Sequence, residues 1–129
     1  MVVKVQYSTM IVDDLEKSVG FYRDVLGFTE GYHVDLPEGA ITIMDSPGGA
    51  GVELIESPRF DTGLYSIGTD VDDLDAVIAR LKSEGYEPEG EIVPTTVGRQ
   101  VFVLDPNGVR ICLIEHTWVK SPNERNPCV

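Results

Sequence analysis

Val12-Asp13-Asp14-Leu15 recurs unchanged as Val71-Asp72-Asp73-Leu74, 59 residues further along the chain. The stretch VELIE at residues 52–56 matches ICLIE at residues 111–115 with the same spacing of 59. Two further landmarks, a glycine followed by an aromatic residue and a proline-containing turn, repeat at spacings of 58 and 60 residues. Spacing this constant indicates that the chain is a duplication of one pattern.

The two copies, residues 1–59 and 60–117, each predict a strand, a helix and then three strands. The predicted strands are residues 3–12, 31–36, 40–44 and 51–56 in the first copy and 65–71, 99–104 and 109–116 in the second. The tail at residues 118–129 has two prolines and no periodicity, so we expect it to be a loose end or an arm that embraces a partner.

Both predicted helices carry an apolar face. The face consists of Leu15, Val19, Tyr22 and Leu26 in the first copy and of Leu74, Val77, Ile78 and Leu81 in the second. Asp13 and Asp72 are the expected N-caps, because a carboxylate can accept the free amide hydrogens of a first helical turn. Gly27 and Gly85 are expected to end the helices.

The chain is strongly acidic, with ten Lys and Arg against 22 Asp and Glu and a formal net charge of −12. This charge repels nucleic acids and anionic membrane surfaces, so we expect neither as a partner, whereas a neutral or cationic ligand is favoured. No apolar run approaches the roughly 18 residues that cross a bilayer, and the start of the chain does not read as a signal peptide. Two cysteines are too few for a disulfide framework, so the sequence predicts a cytoplasmic protein.

Two segments resemble a known family. Residues 14–28, DLEKSVGFYRDVLGF, resemble the first helix of the vicinal oxygen chelate superfamily, and DPNG at residues 105–108 with ICL at 111–113 resembles its closing hairpin. Members of that superfamily include glyoxalase I, bleomycin-resistance proteins, fosfomycin-resistance enzymes, methylmalonyl-CoA epimerase and extradiol dioxygenases. The resemblance covers residues 3–117 and indicates the fold more strongly than the function, because the superfamily carries unrelated chemistries.

The resemblance implies an α+β fold in which two tandem βαβββ modules form a cup-shaped mixed sheet with helices on the outer face. It also implies a homodimer, with the ligand in the cup. In metal-using members four side chains hold the metal, and these positions fall here on Tyr7, Glu53, Ser66 and Cys112. Only Glu53 is a common ligand in the family, and Tyr7 and Ser66 are poor ligands at neutral pH. We therefore expect no cofactor, with a bound divalent metal as the alternative.

Strand alternation, together with the resemblance, indicates which residues line the cup. They are Tyr7, Thr9, Glu53, Ser66, Cys112 and His116, and Arg99 is added as a residue that could neutralise Glu53 or anchor an anionic ligand. Burial among aliphatic side chains would raise the pKa of the Glu53 carboxyl unless it is paired, so Glu53 is a candidate general base or ligand anchor. Tyr7 could donate to a ligand oxygen or simply fill the cup, and Cys112 is more typical of a small buried hydrophobe than of a nucleophile.

Three functions remain open from the sequence. The first is a metal-free homodimer of the bleomycin-resistance type that binds a small organic ligand in its cup. The second is a lyase or isomerase of the glyoxalase type that uses Glu53 as a base or metal ligand. The third is a dimeric scaffold or regulator with a closed cup. Replacing Glu53 by Gln separates the first two, because only an enzyme has turnover to lose.

Overall fold

The computed structural model of this protein describes residues 2–95 and 98–117. Within those ranges eight strands and two α-helices follow the order βαβββ twice. The first module contains β1 (Val3–Val12), α1 (Leu15–Gly20), a π-helical segment (Phe21–Val25), β2 (Thr29–Leu36), β3 (Gly39–Asp45) and β4 (Gly51–Glu56). The second contains β5 (Gly63–Val71), α2 (Leu74–Ser83), β6 (Glu89–Thr95), β7 (Gly98–Leu104) and β8 (Arg110–His116). The predicted α+β class and the two βαβββ modules are confirmed.

The chain divides into two compact units, one formed by residues 7–65 and the other by residues 2–6 with 66–117. In the first unit the strands lie in the order β2-β3-β4-β1, with β1 parallel to β4 and the other pairs antiparallel. In the second unit the order is β5-β8-β7-β6, with β5 parallel to β8. Each unit therefore combines parallel and antiparallel strand pairs. Its parallel pair needs a crossover connection, which the helix and the intervening strands supply.

In the first unit, the two faces of the strands belong to different apolar clusters. On the helix side Val19, Met44 and Leu54 are buried, and Met10, Leu15, Tyr22, Phe28 and Val52 pack against them. On the opposite face Ile11, Ile41 and Ile55 form a second cluster. The predicted alternation is confirmed, since Met10 and Ile11 on β1 contact different layers.

The second unit has a helix-side core of the same kind. Its buried members are Val71, Leu74, Val77, Val101, Val103 and Leu113, and Ile78, Leu81, Ile92 and Ile111 pack against them. The predicted apolar stripe of α2 therefore faces the strands.

The helices begin one residue later than the sequence predicted. Asp14, rather than Asp13, is the N-cap of α1, and its Oδ1 accepts a 3.1 Å hydrogen bond from the backbone nitrogen of Lys17. Asp73, rather than Asp72, caps α2 in the same way through the backbone nitrogen of Ala76. The cap must be the last extended residue before the first helical turn, and two consecutive aspartates left that position ambiguous in the sequence.

Asp72 instead anchors the start of the chain. Its Oδ1 accepts a 2.8 Å hydrogen bond from the backbone nitrogen of Val2, and its own backbone nitrogen donates to the Val2 carbonyl at 3.2 Å. The hydrogen bond from Val2 lowers the pKa of the Asp72 carboxyl. These bonds explain why the first residues belong to the second unit.

The π-helical segment accounts for the change in repeat spacing from 59 to 58. After this segment the backbone nitrogen of Phe28 donates to the carbonyl of Tyr22, six residues earlier, whereas Tyr86 donates to Leu81, only five residues earlier. The first module thus carries one extra helical residue, which a π-helical turn accommodates. Gly27 has φ of +78° and ends the helix as predicted.

No helix in the described part of the chain is long and apolar enough to cross a membrane. The tail predicted at residues 118–129 lies outside the described residues.

Candidate functional site

A buried carboxylate and a buried hydroxyl meet on the face of the first unit opposite its helix. The parallel pairing of β1 with β4 places Thr9 beside Glu53, and Thr9 Oγ1 donates a 2.6 Å hydrogen bond to Glu53 Oε1. Neither side chain has any solvent exposure. We call the face formed by Tyr7, Thr9, Ile11, Glu53 and Ile55 the Glu53 face, and it contains the residues of these two strands that alternation and the resemblance predicted together.

The surroundings of Glu53 are mostly aliphatic. Ile43 lies directly across from it on β3 and is buried, and Ile55 is buried two residues further along β4. Tyr7, two residues before Thr9 on β1, is also fully buried. A carboxylate in such a wall is stabilised by the hydroxyl of Thr9 and can take or give a proton, or hold a polar group of a ligand.

The second unit carries its predicted residues on the corresponding face of β5 and β8. Ser66 and Cys112 are fully buried there, and Cys112 lies between Gly68 on β5 and Phe102 on β7. His116 is on the same face of β8, four residues beyond Cys112. The structure thus brings Ser66, Cys112 and His116 to one face, here called the Cys112 face.

His116 has a partner that sequence reasoning missed. Asp70 Oδ1 accepts a hydrogen bond from His116 Nδ1 at 2.6 Å, and the imidazole is only 3% exposed. The signal was present, because Asp70 follows Gly68 by two residues and so lies on the same strand face. Gln100, which lies opposite Ile114 and is mostly buried, is a second polar residue on this face that was not singled out.

The two side chains that the sequence offered as activators of Cys112 are His116 and Arg110, and each is paired with a carboxylate. Four residues of extended strand separate it from His116, a distance of about 13 Å. Arg110, two residues away on the same face, is bound to Glu89 at 3.2 Å and lies 5.8 Å from the centre of the Phe102 ring. A nucleophilic cysteine needs a base or positive charge in contact with its sulfur, so this geometry favours the structural interpretation of Cys112.

The predicted position of Arg99 with the cup residues is wrong. The β7–β8 register pairs Arg99 with Glu115, which places its side chain on the helix side of the strands. There its guanidinium contacts Glu115 at 3.0 Å and Asp75 of α2 at 2.9 Å. The hairpin register, which spacing alone could not determine, is the reason for the error.

This ion pair shifts the pKa values of both of its members. Hydrogen bonds from Arg99 and from the backbone nitrogen of Leu74 lower the pKa of the Glu115 carboxyl. The Arg99 guanidinium has its pKa raised by hydrogen bonds to Glu115 and Asp75. Arg99 therefore stabilises the contact between α2 and the strands and does not lie beside Glu53.

The donor set does not fit the metal that the resemblance implies. The four family positions supply a phenol, a carboxylate, a hydroxyl and a thiol, at Tyr7, Glu53, Ser66 and Cys112. Divalent transition metals prefer imidazole, carboxylate and thiolate ligands, and neutral phenol and hydroxyl groups are weak ligands. Among residues 2–95 and 98–117, no group of three or more His, Cys, Asp or Glu is arranged to hold a metal ion.

Comparison with known proteins places this architecture in a family. Residues 4–113 match the model of the Glyoxalase/Bleomycin resistance protein/Dioxygenase superfamily. The chain is 29% identical over 130 residues to the lactoylglutathione lyase of Haemophilus influenzae, covering 92% of this chain and 96% of that protein. It is 33% identical over 121 residues to the lactoylglutathione lyase of Neisseria meningitidis serogroup A, covering 84% and 88%.

Solved structures share the fold at lower identity. A hypothetical protein from Bacillus halodurans has a TM-score of 0.77 at 21% identity, over 94% of this chain and 99% of that chain. Methylmalonyl-CoA epimerase from Mycobacterium tuberculosis has a TM-score of 0.74 at 24% identity, over 89% of both chains. On the family match and its near-complete coverage, the chain belongs to the Glyoxalase/Bleomycin resistance protein/Dioxygenase superfamily.

Proposed function

We propose that this protein binds a small organic molecule at the Glu53 face without a divalent metal, and that the Glu53 carboxyl is the polar anchor of that ligand. The observation that carries the proposal is the complete burial of Glu53 beside Thr9 in an aliphatic wall. A buried ionisable group costs free energy, and such groups concentrate at binding and catalytic sites.

The ligand class follows from charge. The chain has a net charge of −12, and the polar group at the centre of the Glu53 face is a carboxyl. An anionic ligand would be repelled by the net charge of the chain and by this carboxyl. A cationic or hydroxyl-bearing ligand can instead donate a hydrogen bond to the carboxyl. The aliphatic walls, Ile43 and Ile55 among them, favour a ligand with an apolar body.

A direct test uses protein stripped of metal with a chelator. In a thermal-shift screen of neutral and cationic aromatic compounds, we expect at least one compound to raise the melting temperature of the protein. The compound with the largest increase is then titrated by calorimetry. Glu53→Gln should weaken its binding about tenfold or more, since a charged hydrogen bond is lost. The matched control Glu38→Gln, at an exposed glutamate, should leave binding unchanged.

Bound metal is measured in a separate preparation that has not been treated with a chelator. Elemental analysis of protein purified without a chelator, followed by calorimetric titration with Ni²⁺, Zn²⁺ and Mn²⁺, should show no stoichiometric binding. About one metal ion per chain, lost in Glu53→Ala, would overturn the metal-free proposal. Failure of the ligand screen together with absence of metal would instead favour a scaffold or regulatory role.

The names of the relatives favour a second candidate, a lyase of the lactoylglutathione type with Glu53 as the base. Its test is a mixture of glutathione and methylglyoxal, whose adduct is an isomer of lactoylglutathione. Under our first proposal this mixture gives no product above background, with or without added Ni²⁺ or Zn²⁺. Turnover that disappears in Glu53→Gln, while the variant still binds the adduct, would establish the second candidate.

A further inference from the structure

The second unit contains an apolar cleft that is separate from the faces described above. It lies between α2 and the β7–β8 hairpin and has a volume of about 430 Å³. Its walls include the apolar residues Val77, Leu81, Tyr86, Val103, Ile111 and Leu113. This space, here called the α2 cleft, falls within the size range of small-molecule pockets.

The duplication provides an internal comparison for this cleft. The helix-ending hydrogen bonds make Tyr22 and Phe28 of the first module the counterparts of Leu81 and Tyr86 of the second. In the first module the rings of Tyr22 and Phe28 contact each other, with centroids 5.5 Å apart, and both pack into the helix-side core. In the second module the first of these rings is replaced by a leucine.

A second difference enlarges the same space. Met44 is part of the core that Tyr22 and Phe28 cover, and the residue 59 positions later is the shorter Val103, which lines the cleft. Tyr86 keeps its ring but is 39% exposed. In the first module the rings of Tyr22 and Phe28 pack together against Met44. At the corresponding place the second module has an open cleft with apolar walls.

We propose that the α2 cleft is a second ligand site, which binds a small neutral molecule carrying an aromatic ring. Such a ring supplies the contacts that Tyr22 makes in the first module and covers apolar surface that otherwise remains wet. This site does not depend on the function proposed for the Glu53 face.

The charged residues at the cleft favour a neutral ligand. Arg80 is paired with Glu84 at 3.7 Å. Asp105 Oδ1 already accepts 2.8 Å hydrogen bonds from the backbone nitrogens of Asn107 and Val109. Neither Arg80 nor Asp105 is positioned to pair with a charged group of a ligand. The net charge of −12 also disfavours anions.

The test is a titration of the full chain with indole. Binding is monitored through the methyl NMR signals of selectively labelled protein. Saturable shifts are expected at Val77, Leu81 and Ile111, which line the cleft. The signals of Met44 and Leu54, in the corresponding core of the first module, should stay in place. Shifts that do not saturate, or that are equal in both modules, would overturn the proposal.

Two substitutions that make the second module more like the first provide the decisive comparison. Leu81→Phe and Val103→Met each place extra side-chain volume in the cleft and should weaken indole binding about tenfold or more. The matched control Leu64→Phe, at an exposed leucine, should leave binding unchanged. If Leu81→Phe disturbs folding, Val103→Met still tests whether indole binds in the α2 cleft. Wild-type affinity for indole in a folded Val103→Met protein would contradict this site.

Discussion

Thr9 Oγ1 lies 2.6 Å from Glu53 Oε1, and both side chains are fully buried on neighbouring parallel strands. The two residues are 44 positions apart, so the parallel register alone brings them together. An ionised carboxylate can only accept hydrogen bonds, so the Thr9 hydroxyl is the donor of this bond inside an apolar wall. This pair is the feature from which the chemistry of the Glu53 face can be probed.

Removing the hydroxyl should destabilise the protein. Thr9→Val keeps the shape of the side chain but leaves a buried carboxylate without this donor, so we expect a loss of about 1–3 kcal/mol in the free energy of unfolding. The control Thr9→Ser retains the donor and should lose less than about 1 kcal/mol. Urea denaturation at neutral pH measures both, and a loss in Thr9→Val no larger than the loss in Thr9→Ser would show that the hydrogen bond contributes little to stability.

Replacing both partners should restore stability at the expense of ligand binding. The double variant Thr9→Val/Glu53→Leu removes the buried polar pair as a whole, and we expect it to be at least as stable as the wild type. The two substitutions should then be coupled by about 1 kcal/mol or more in a double-mutant cycle. Additive effects would mean that Glu53 is held by other contacts and that Thr9 contributes little.

The stabilisation from Glu115 should depend on pH. Its native pKa is lowered by Arg99 and by the Leu74 backbone, so the carboxylate stabilises the fold above its ordinary pKa of 4.5. That stabilisation is lost as the pH falls through the lowered native value. Glu115→Gln should therefore reduce the melting temperature by about 3 °C at pH 7, with the difference shrinking below pH 4.

Glu56 provides the matched control for this experiment. It accepts a 2.9 Å hydrogen bond from the backbone nitrogen of Leu15, as Glu115 does from Leu74 at 2.7 Å, but Ala40 stands opposite it where Arg99 stands opposite Glu115. Glu56→Gln keeps the acceptor and should change the melting temperature less. An equal, pH-independent effect at both sites would contradict the contribution assigned to Arg99.

The contact between His116 and Asp70 should matter for stability through its donor nitrogen. His116→Asn keeps a nitrogen near the place of Nδ1, whereas His116→Leu leaves the Asp70 carboxylate without that hydrogen bond. We expect His116→Leu to be about 1 kcal/mol less stable than His116→Asn in chemical denaturation. Equal stability of the two variants would show that the imidazole acts through packing alone.

The order of elements could be read from the sequence because it rests on local signals. Apolar periodicity located both helices, and alternation separated Met10 from Ile11 and Val52 from Glu53 onto opposite faces. The repeat spacing of 59 then transferred each assignment from one module to the other. Even the deviation to 58 was visible, although only the hydrogen bonds after the π-helical segment gave its cause.

Only part of the candidate site could be predicted from the sequence. Strand alternation grouped Tyr7 with Thr9 on one strand, and the family resemblance added Glu53 to the same face, because both depend on the sequence itself. Only tertiary structure decided that Thr9 bonds Glu53, that Asp70 bonds His116 and that Arg99 lies on the helix side with Glu115 and Asp75. Those outcomes depend on the register between strands that are far apart in the chain, and a shift of one residue in register would have moved each side chain to the other face.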